Sequence, residues 1–301
     1  MNTRARVTAI PVMVAASLGL GSIATFGKAL AHPGHVHTAP NLQPTGLEEI
    51  NLTIEESGVT GMPESIEAGR YLVKVTGPEP GEMGPSGIMA IQLPEGVTPK
   101  QAHDDVLANP NEIPGWAMES HFGGGVVLDH GPENWAVLDF TPGAWIVTTL
   151  FGTTLGVEFE VTGELPTDLP DPGANVTLDL LEMVIRVSDG EFVAGENLVT
   201  VHNAGAQIHF VDISKVPDGT TKEQIEGLMD SFMTGTPPAA DGLQEADVMP
   251  AAYIAEMSGG VAVTVPLMLD AGTYFLSCWI GDPESQLPHA MMGMWDLITI
   301  E

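Results

Sequence analysis

The chain has 301 residues, of which 44% are hydrophobic, so it is long enough to form two domains of ordinary size with buried cores. Its 40 acidic and 9 basic residues give a formal charge of −31, which excludes nucleic acid and anionic lipid as partners of its surface. The 35 glycines and 24 prolines favour short strands joined by turns over long helices.

The first 31 residues have the pattern of a signal peptide. Arg4 and Arg6 form a short basic region, residues 9–26 are mostly apolar or small, and residues 29–31 read Ala-Leu-Ala, an A-x-A-like cleavage site. The alternative is an uncleaved N-terminal anchor, and no second long apolar run follows. We therefore expect export to the periplasm, the cell surface or the extracellular space, with no membrane span after signal cleavage.

Residues 32–44 form a His-containing leader. Cleavage after Ala31 would make His32 the new N-terminus, and its amine and imidazole could join His35 or His37 in binding Cu(II) or Zn(II). These three histidines are a candidate second metal site, and the alternative is a leader without a metal.

The rest of the chain contains an internal repeat. Three segments of the first half resemble three of the second half in the same order, at offsets of 126, 123 and 129 residues. The pairs are 66–75 with 192–201, 94–101 with 217–224, and 140–152 with 269–281. We interpret the repeat as two related domains, 45–163 and 177–301, joined by the Pro-rich linker 164–176.

Each half reads mostly as strand, with one short helical insert. Residues 198–202, 272–278 and 295–300 are rich in β-branched and aromatic side chains, which is typical of strands. Capping-box patterns at 98–101 and 220–223 predict one helix start in each half. The predicted fold class is all-β: two tandem Greek-key β-sandwiches, each with one short helical insert.

The only cysteine is Cys278, so an intrachain disulfide is excluded. A free thiol in an exported protein is prone to oxidation, so it is expected to be buried and inert or to hold a metal.

Three segments of the second half, 203–209, 272–278 and 289–294, together resemble the cupredoxins, the blue-copper family. In that family one His follows an Asn-containing turn, a Cys ends a strand of the form Gly-x-Tyr-x-x-x-Cys, and the next loop supplies a His and then a Met. The resemblance covers roughly residues 177–301 and implies one type 1-like copper ion. The ligands that it implies are His209, Cys278, His289 and Met294.

The donor types explain this chemistry, because a thiolate, two imidazoles and a weak axial thioether suit both Cu(I) and Cu(II). The sequence departs from the family in one respect: ten residues separate Cys278 from His289, which is longer than the usual loop. Met291 and Met292 lie beside Met294 and leave the axial ligand open.

The first half lacks the ligand pattern. The repeat offsets place Ser86 opposite His209 and Thr149 opposite Cys278, so residues 45–163 are interpreted as a cupredoxin-like domain without metal ligands. It would pack against the second domain, cover the site or bind a partner. The remaining histidines of this half, His103, His121 and His130, are assigned packing or surface roles.

The preferred hypothesis is one-electron transfer to a redox partner protein, with His289 nearer the surface than Cys278 as the electron exit. The alternatives are copper scavenging or delivery, and a metal-free structural or adhesive protein. An enzyme is not favoured, because multicopper oxidases and copper nitrite reductases, as families, place a His beside the Cys. Here the neighbours of Cys278 are Ser277 and Trp279.

Overall fold

The computed structural model describes residues 42–78, 86–108, 114–129, 131–150 and 156–301. The predicted signal peptide lies outside the described residues, as do most of the leader and the histidines His32, His35, His37 and His130. Within these described ranges no helix is long and apolar enough to cross a membrane.

The described part of the first half forms nine strands and one α-helix. They are β1 (Glu48–Glu55), β2 (Gly58–Thr60), β3 (Ser65–Glu67), β4 (Gly69–Thr76), β5 (Ser86–Gln92), α1 (Pro99–Ala108), β6 (His121–Leu128), β7 (Glu133–Phe140), β8 (Gly143–Thr149) and β9 (Val157–Thr162). Residues 164–175, within the predicted linker, contain no strand or helix.

The second half, which is described throughout, forms eight strands and one α-helix. They are β10 (Val176–Leu181), β11 (Val184–Gly190), β12 (Gly195–Asn203), β13 (His209–Val216), α2 (Lys222–Thr234), β14 (Met249–Met257), β15 (Ala262–Leu269), β16 (Gly272–Ser277) and β17 (Trp295–Ile300).

The strands make two sheets that each run through both halves. One has the order β11-β10-β12-β15-β7-β4-β1-β2 and the other β17-β16-β13-β14-β6-β5-β8-β9-β3. Apart from the short strand β3, which has no counterpart in the second half, the chain crosses between the sheets in the same way in each half. Apolar residues of both sheets form the core between them. The predicted all-β fold with two tandem sandwiches is confirmed.

The joint between the halves consists of two short antiparallel contacts, one in each sheet. Thr264 pairs with Val137 in the first sheet, and Met257 pairs with Gly123 in the second. The Phe122 amide donates to Ser258 Oγ at 2.9 Å, and the Ser258 amide donates back to the Phe122 carbonyl at 2.9 Å. The two sandwiches are therefore hydrogen-bonded to each other edge to edge.

The sequence repeat has a counterpart in strand register. Strand β5 pairs with β8 through Ile88 and Thr149, and β13 pairs with β16 through Asp212 and Ser277. At the offsets of 123 and 129 residues, positions 88 and 149 match 211 and 278, which lie one step beyond the pair of Asp212 and Ser277. Ser86 begins β5 as His209 begins β13.

The helix starts follow their caps, with one correction. Helix α1 begins at Pro99, and the Gln101 amide donates to Thr98 Oγ1, as predicted. In α2 the capping box uses Thr221 and Gln224, one residue later than predicted, because the Thr220 hydroxyl instead donates to the Pro217 carbonyl.

Candidate metal centre

A buried asparagine fixes the turn that leads to His209. Asn203 is 0% exposed, and its side-chain amide donates to the carbonyls of Gln207 and Met257 at 2.8 and 2.7 Å. Its oxygen accepts from the Gly205 amide at 3.0 Å. The turn is thus tied to β14, and His209 follows as the first residue of β13.

Cys278 immediately follows β16, and the chain then folds back on it. The Cys278 carbonyl accepts from the Ala290 amide at 2.6 Å, and the Ile280 carbonyl accepts from the His289 amide at 2.8 Å. His289 begins a single 3₁₀ turn that ends at Gly293, whose φ of 103° is a conformation that glycine adopts without strain. These bonds return the loop to the cysteine despite its length.

The structure brings three of the predicted residues together. The Nδ1 atoms of His209 and His289 are 3.1 Å apart, and Cys278 Sγ lies 3.8 Å and 3.7 Å from them. All three residues are 0% exposed, and they form the only cluster of three or more His, Cys, Asp or Glu ligand atoms among the described residues. The sequence predicted this cluster of one thiol and two imidazoles.

Burial keeps these groups neutral in the metal-free chain. Desolvation raises the pKa of Cys278 to about 12, against the opposing effect of hydrogen bonds from the Phe210 and Ile280 amides. Burial, together with the nearby His289, lowers the pKa of His209 to about 4. Burial also lowers the pKa of His289.

The donor set fits a single copper ion. Metal–nitrogen bonds of about 2.0 Å and metal–sulfur bonds of about 2.3 Å allow one ion to reach three atoms with the observed spacing. The two backbone amides directed at Cys278 Sγ would stabilise it as a thiolate, and both imidazoles are already neutral. The Nδ1 atoms are the ring nitrogens that face the thiol, while both Nε2 atoms are buried without a hydrogen-bond partner.

The fourth predicted ligand lies in the same core. Met294 is 0% exposed, its amide donates to the His289 carbonyl at 2.9 Å, and its carbonyl accepts from the Cys278 amide at 3.2 Å. Met292 is 39% exposed, and its sulfur accepts from Ser285 Oγ. Of these two methionines, Met294 is the one buried with the cysteine.

The long loop between Cys278 and His289 forms a hydrogen-bonded cover. Asp282 accepts from the Glu284 and Ser285 amides and from the Ser285 hydroxyl, which lowers its pKa to about 2. Its second oxygen accepts from Gln207 Nε2 at 3.2 Å, which joins the cover to the turn before His209. The excess residues are thus accommodated outside the cluster.

The expectation that His289 lies nearer the surface than Cys278 stays a prediction. Both side chains are 0% exposed. Pro288 pairs with Gly281 and the Asp282 amide donates to the Leu287 carbonyl, so the intervening residues close over the histidine.

Several residues around the cluster were not found by sequence analysis. The amides of Phe210 and Ile280 act through the backbone, so no side-chain pattern reveals them. Glu182, in the turn between β10 and β11, accepts from the Ala206 amide and from the Gln207 amide at 3.1 Å. It supports the turn before His209 from a distant part of the sequence, and only the tertiary pairing could show that.

The first half carries no comparable set at the equivalent positions, where Ser86 and Thr149 lie. His121 is half-buried against Trp145, with ring centroids 5.6 Å apart, and burial lowers its pKa. His103 lies on α1 beside an apolar cavity. Their placement agrees with the packing roles expected for them.

Comparisons with known proteins give structural neighbours only. No family model and no curated protein matches the chain. Reduced auracyanin from Roseiflexus castenholzii is 21% identical over 43% of this chain and 99% of its own, with a TM-score of 0.28. The azurin of Methylomonas sp. strain J is 15% identical over 43% and 98%, with a TM-score of 0.26. Copper nitrite reductase from Nitrosomonas europaea is 10% identical over 84% and 93%, with a TM-score of 0.23.

The fold is cupredoxin-like. This assignment rests on the two-sheet sandwiches and on the buried His, Cys and His cluster at one end of the second.

Proposed function

We propose that this protein is an exported one-electron carrier with a mononuclear type 1-like copper site. The proposed ligands are His209, Cys278 and His289, with Met294 as the axial donor. The observation that carries the proposal is the convergence of two imidazole Nδ1 atoms and one thiol within 3.8 Å, all fully buried.

The chain's own groups supply the conditions for such a site. Bound copper would provide the Cu(I)/Cu(II) couple. The strands hold His209, and the hydrogen-bonded loop holds Cys278 and His289, so the donors need little movement between oxidation states. Water is excluded because every proposed ligand is 0% exposed.

The proposal is for a carrier rather than an enzyme. The residues on either side of Cys278 are Ser277 and Trp279, and neither has the imidazole with which a histidine would bind a second copper ion. Export rests on the N-terminal sequence pattern. The formal charge of −31 favours a redox partner with a basic docking surface.

The experiment is a titration of the purified protein with Cu(II), followed by visible and EPR spectroscopy, beside Cys278→Ala. We expect an intense thiolate-to-copper band at one equivalent, reversible bleaching by a one-electron reductant, and loss of the band in the variant. Met292→Leu is the matched control, because this exposed methionine is not a proposed ligand, and it should keep the band.

Two results would contradict the proposal. Copper binding that Cys278→Ala does not change would exclude the thiolate site, leave the second half as a metal-free sandwich and turn attention to His32, His35 and His37. A band that no reductant bleaches would exclude electron transfer.

Copper scavenging or delivery is the second candidate function. Met291 is partly exposed and Met292 is 39% exposed, and their soft thioethers suit Cu(I). This function predicts more than one copper ion per chain and rapid transfer to a chelator, whereas one tightly held ion would argue against it.

A further inference from the structure

A buried carboxyl group lies close to the proposed site and has no role in holding it. Glu256, near the end of β14, is 2% exposed. Its Oε1 accepts from the Tyr253 hydroxyl at 2.8 Å, while its Oε2 is buried without any hydrogen-bond partner. A carboxylate with one unpartnered oxygen is costly to bury, so the protonated form is favoured.

Strand register places this group next to the strands of the site. Met257, the next residue, pairs with His209, and Tyr253 pairs with Asp212. Asp212 in turn pairs with Ser277, the residue before Cys278. Glu256 is therefore embedded in the same sheet as the proposed ligands while making no hydrogen bond to any of them.

The polar groups on the neighbouring strands do not compensate a negative charge on Glu256. Asp212 accepts from Ser214 Oγ at 2.8 Å, and burial raises its own pKa to about 6, so it too offers no positive charge. Ser277 Oγ is buried without a partner. The Tyr253 hydroxyl is the only donor from another residue to this carboxyl group among the described residues, and the backbone amide of Glu256 itself also acts to lower its pKa. On β6, the strand that pairs with β14, residues 122–127 carry no titratable side chain, and His121 at its start packs on Trp145.

Burial gives Glu256 a titration in the physiological range. Its pKa is raised to about 7, chiefly by desolvation. The pKa of the Cys278 thiol is raised mainly by burial, and a negative charge on Glu256 adds a smaller effect in the same direction. A change of one unit charge at the site must therefore alter the proton affinity of Glu256 in turn, because such coupling is reciprocal.

We propose that Glu256 binds one proton when the adjacent copper site gains one electron, so that this protein couples electron transfer to proton uptake. The inference rests on the proposed function. The electron comes from an outer-sphere one-electron reductant and the proton from water. One O–H bond forms at the carboxylate of Glu256, no bond breaks in the protein, and reoxidation releases the proton.

The direction in which reduction shifts the pKa of Glu256 follows from the charge of the copper site. Reduction removes one positive charge from the site, which weakens the attraction that favours the carboxylate and raises the pKa of Glu256. Glu256 has one pKa in the oxidised protein and a higher one in the reduced protein. At pH values between the two, a rise in pH opposes reduction, and the reduction potential of the copper site falls. Outside that interval Glu256 keeps the same protonation state, and the potential is constant with pH.

The first measurement is the reduction potential of the copper-loaded protein between about pH 5 and pH 9, beside Glu256→Gln. We expect the reduction potential of the wild type to fall by up to about 59 mV per pH unit, which for one electron corresponds to a tenfold change in proton concentration. The variant should show a flat profile over this interval. Glu284→Gln, which changes an exposed carboxyl in the loop over the site, is the control and should retain the slope.

The second measurement needs no copper. In the metal-free protein the infrared C=O stretch of protonated Glu256 should disappear as the pH rises through about 7, next to a separate loss from Asp212 near pH 6. Glu256→Gln should lack the change near pH 7 and keep the one near pH 6. The free energy of unfolding of the wild type should also fall between about pH 4.5 and pH 7, because the native state holds this proton more tightly.

The outcomes separate the two proposals. A charge-transfer band with a pH-independent potential, or a slope that survives in Glu256→Gln, overturns the coupling and leaves the carrier function intact. Absence of the band overturns the carrier function and this coupling with it. A sloping wild-type profile that becomes flat only in Glu256→Gln supports both.

Discussion

At the scale of single residues, two buried asparagines on β12 show how a side chain that touches no metal can shape a metal site. Asn197 and Asn203 are both 0% exposed, and each makes three hydrogen bonds to backbone groups. Only Asn203 lies at the end of the strand where the chain turns towards His209. The two residues are therefore equally buried and make the same number of hydrogen bonds, but only Asn203 lies next to the turn that leads to His209.

We predict that Asn203→Ala lowers the free energy of unfolding by about 2 to 3 kcal/mol, because it leaves buried backbone groups without partners. It should also weaken copper binding by about tenfold, as loss of support for a ligand does. Asn197→Ala is the matched control, with a similar loss of stability and unchanged copper affinity. Denaturant unfolding measures the loss of stability, and competition with a chelator measures the copper affinity. Equal copper affinities of the two variants would contradict the positioning role of Asn203.

At the scale of elements, the loop between β16 and β17 decides how closed the site is. Asp282 bonds within the loop and also to Gln207, so one side chain joins the two segments that carry the histidines. The length of the loop suggested a departure from the family. In the structure the additional residues form the cover, and the shorter path from Cys278 to His289 is bridged by backbone hydrogen bonds.

We predict that Asp282→Ala increases the rate of copper transfer to a chelator by about tenfold, because the cover loses its internal bonds and its link to Gln207. Glu284→Ala, in the same loop but exposed, should leave the rate unchanged. Stopped-flow transfer with a coloured chelator measures it. Equal rates for Asp282→Ala and the wild type would show that the cover does not control access.

At the scale of the whole molecule, the two halves share both sheets, and their joint is closely packed. Gly124 lies on β6 of the first half with φ of 87°, and a Cβ there would overlap Val263 on β15 of the second half. Gly96 has nearly the same φ of 88°, but no atom lies within 4 Å of its Cβ position. The comparison separates backbone strain from contact between the halves.

We predict that Gly96→Ala costs about 1 kcal/mol of unfolding free energy from backbone strain alone. Gly124→Ala should cost about 1 to 3 kcal/mol more, because overpacking forces β6 and β15 apart. Thermal or denaturant unfolding of the two variants measures the difference, with hydrogen exchange at Met257 as a local report on the joint. Equal losses of unfolding free energy in the two variants would mean that the contact between β6 and β15 accommodates the added methyl group without loss of stability.

The sequence by itself determined the all-β fold and indicated the repeat, and its resemblance to the cupredoxins grouped Cys278, His289 and Met294. These depend on short-range patterns: alternation within strands, turn residues, and three residues within one strand and its following loop. The resemblance to the cupredoxins also pointed to His209, which lies 69 residues from Cys278 along the chain, because in that family a His follows an Asn-containing turn.

Only the tertiary structure decided what surrounds those residues. The edge-to-edge joint of the sheets, the burial of His289 and the closeness of Glu256 to the site all depend on pairings between strands far apart in sequence. Such pairings are set by register and by the packing of whole sheets, which no local pattern encodes. The one-residue shift of the α2 cap has a local origin instead, because the Thr220 hydroxyl donates to the carbonyl of Pro217, three residues earlier.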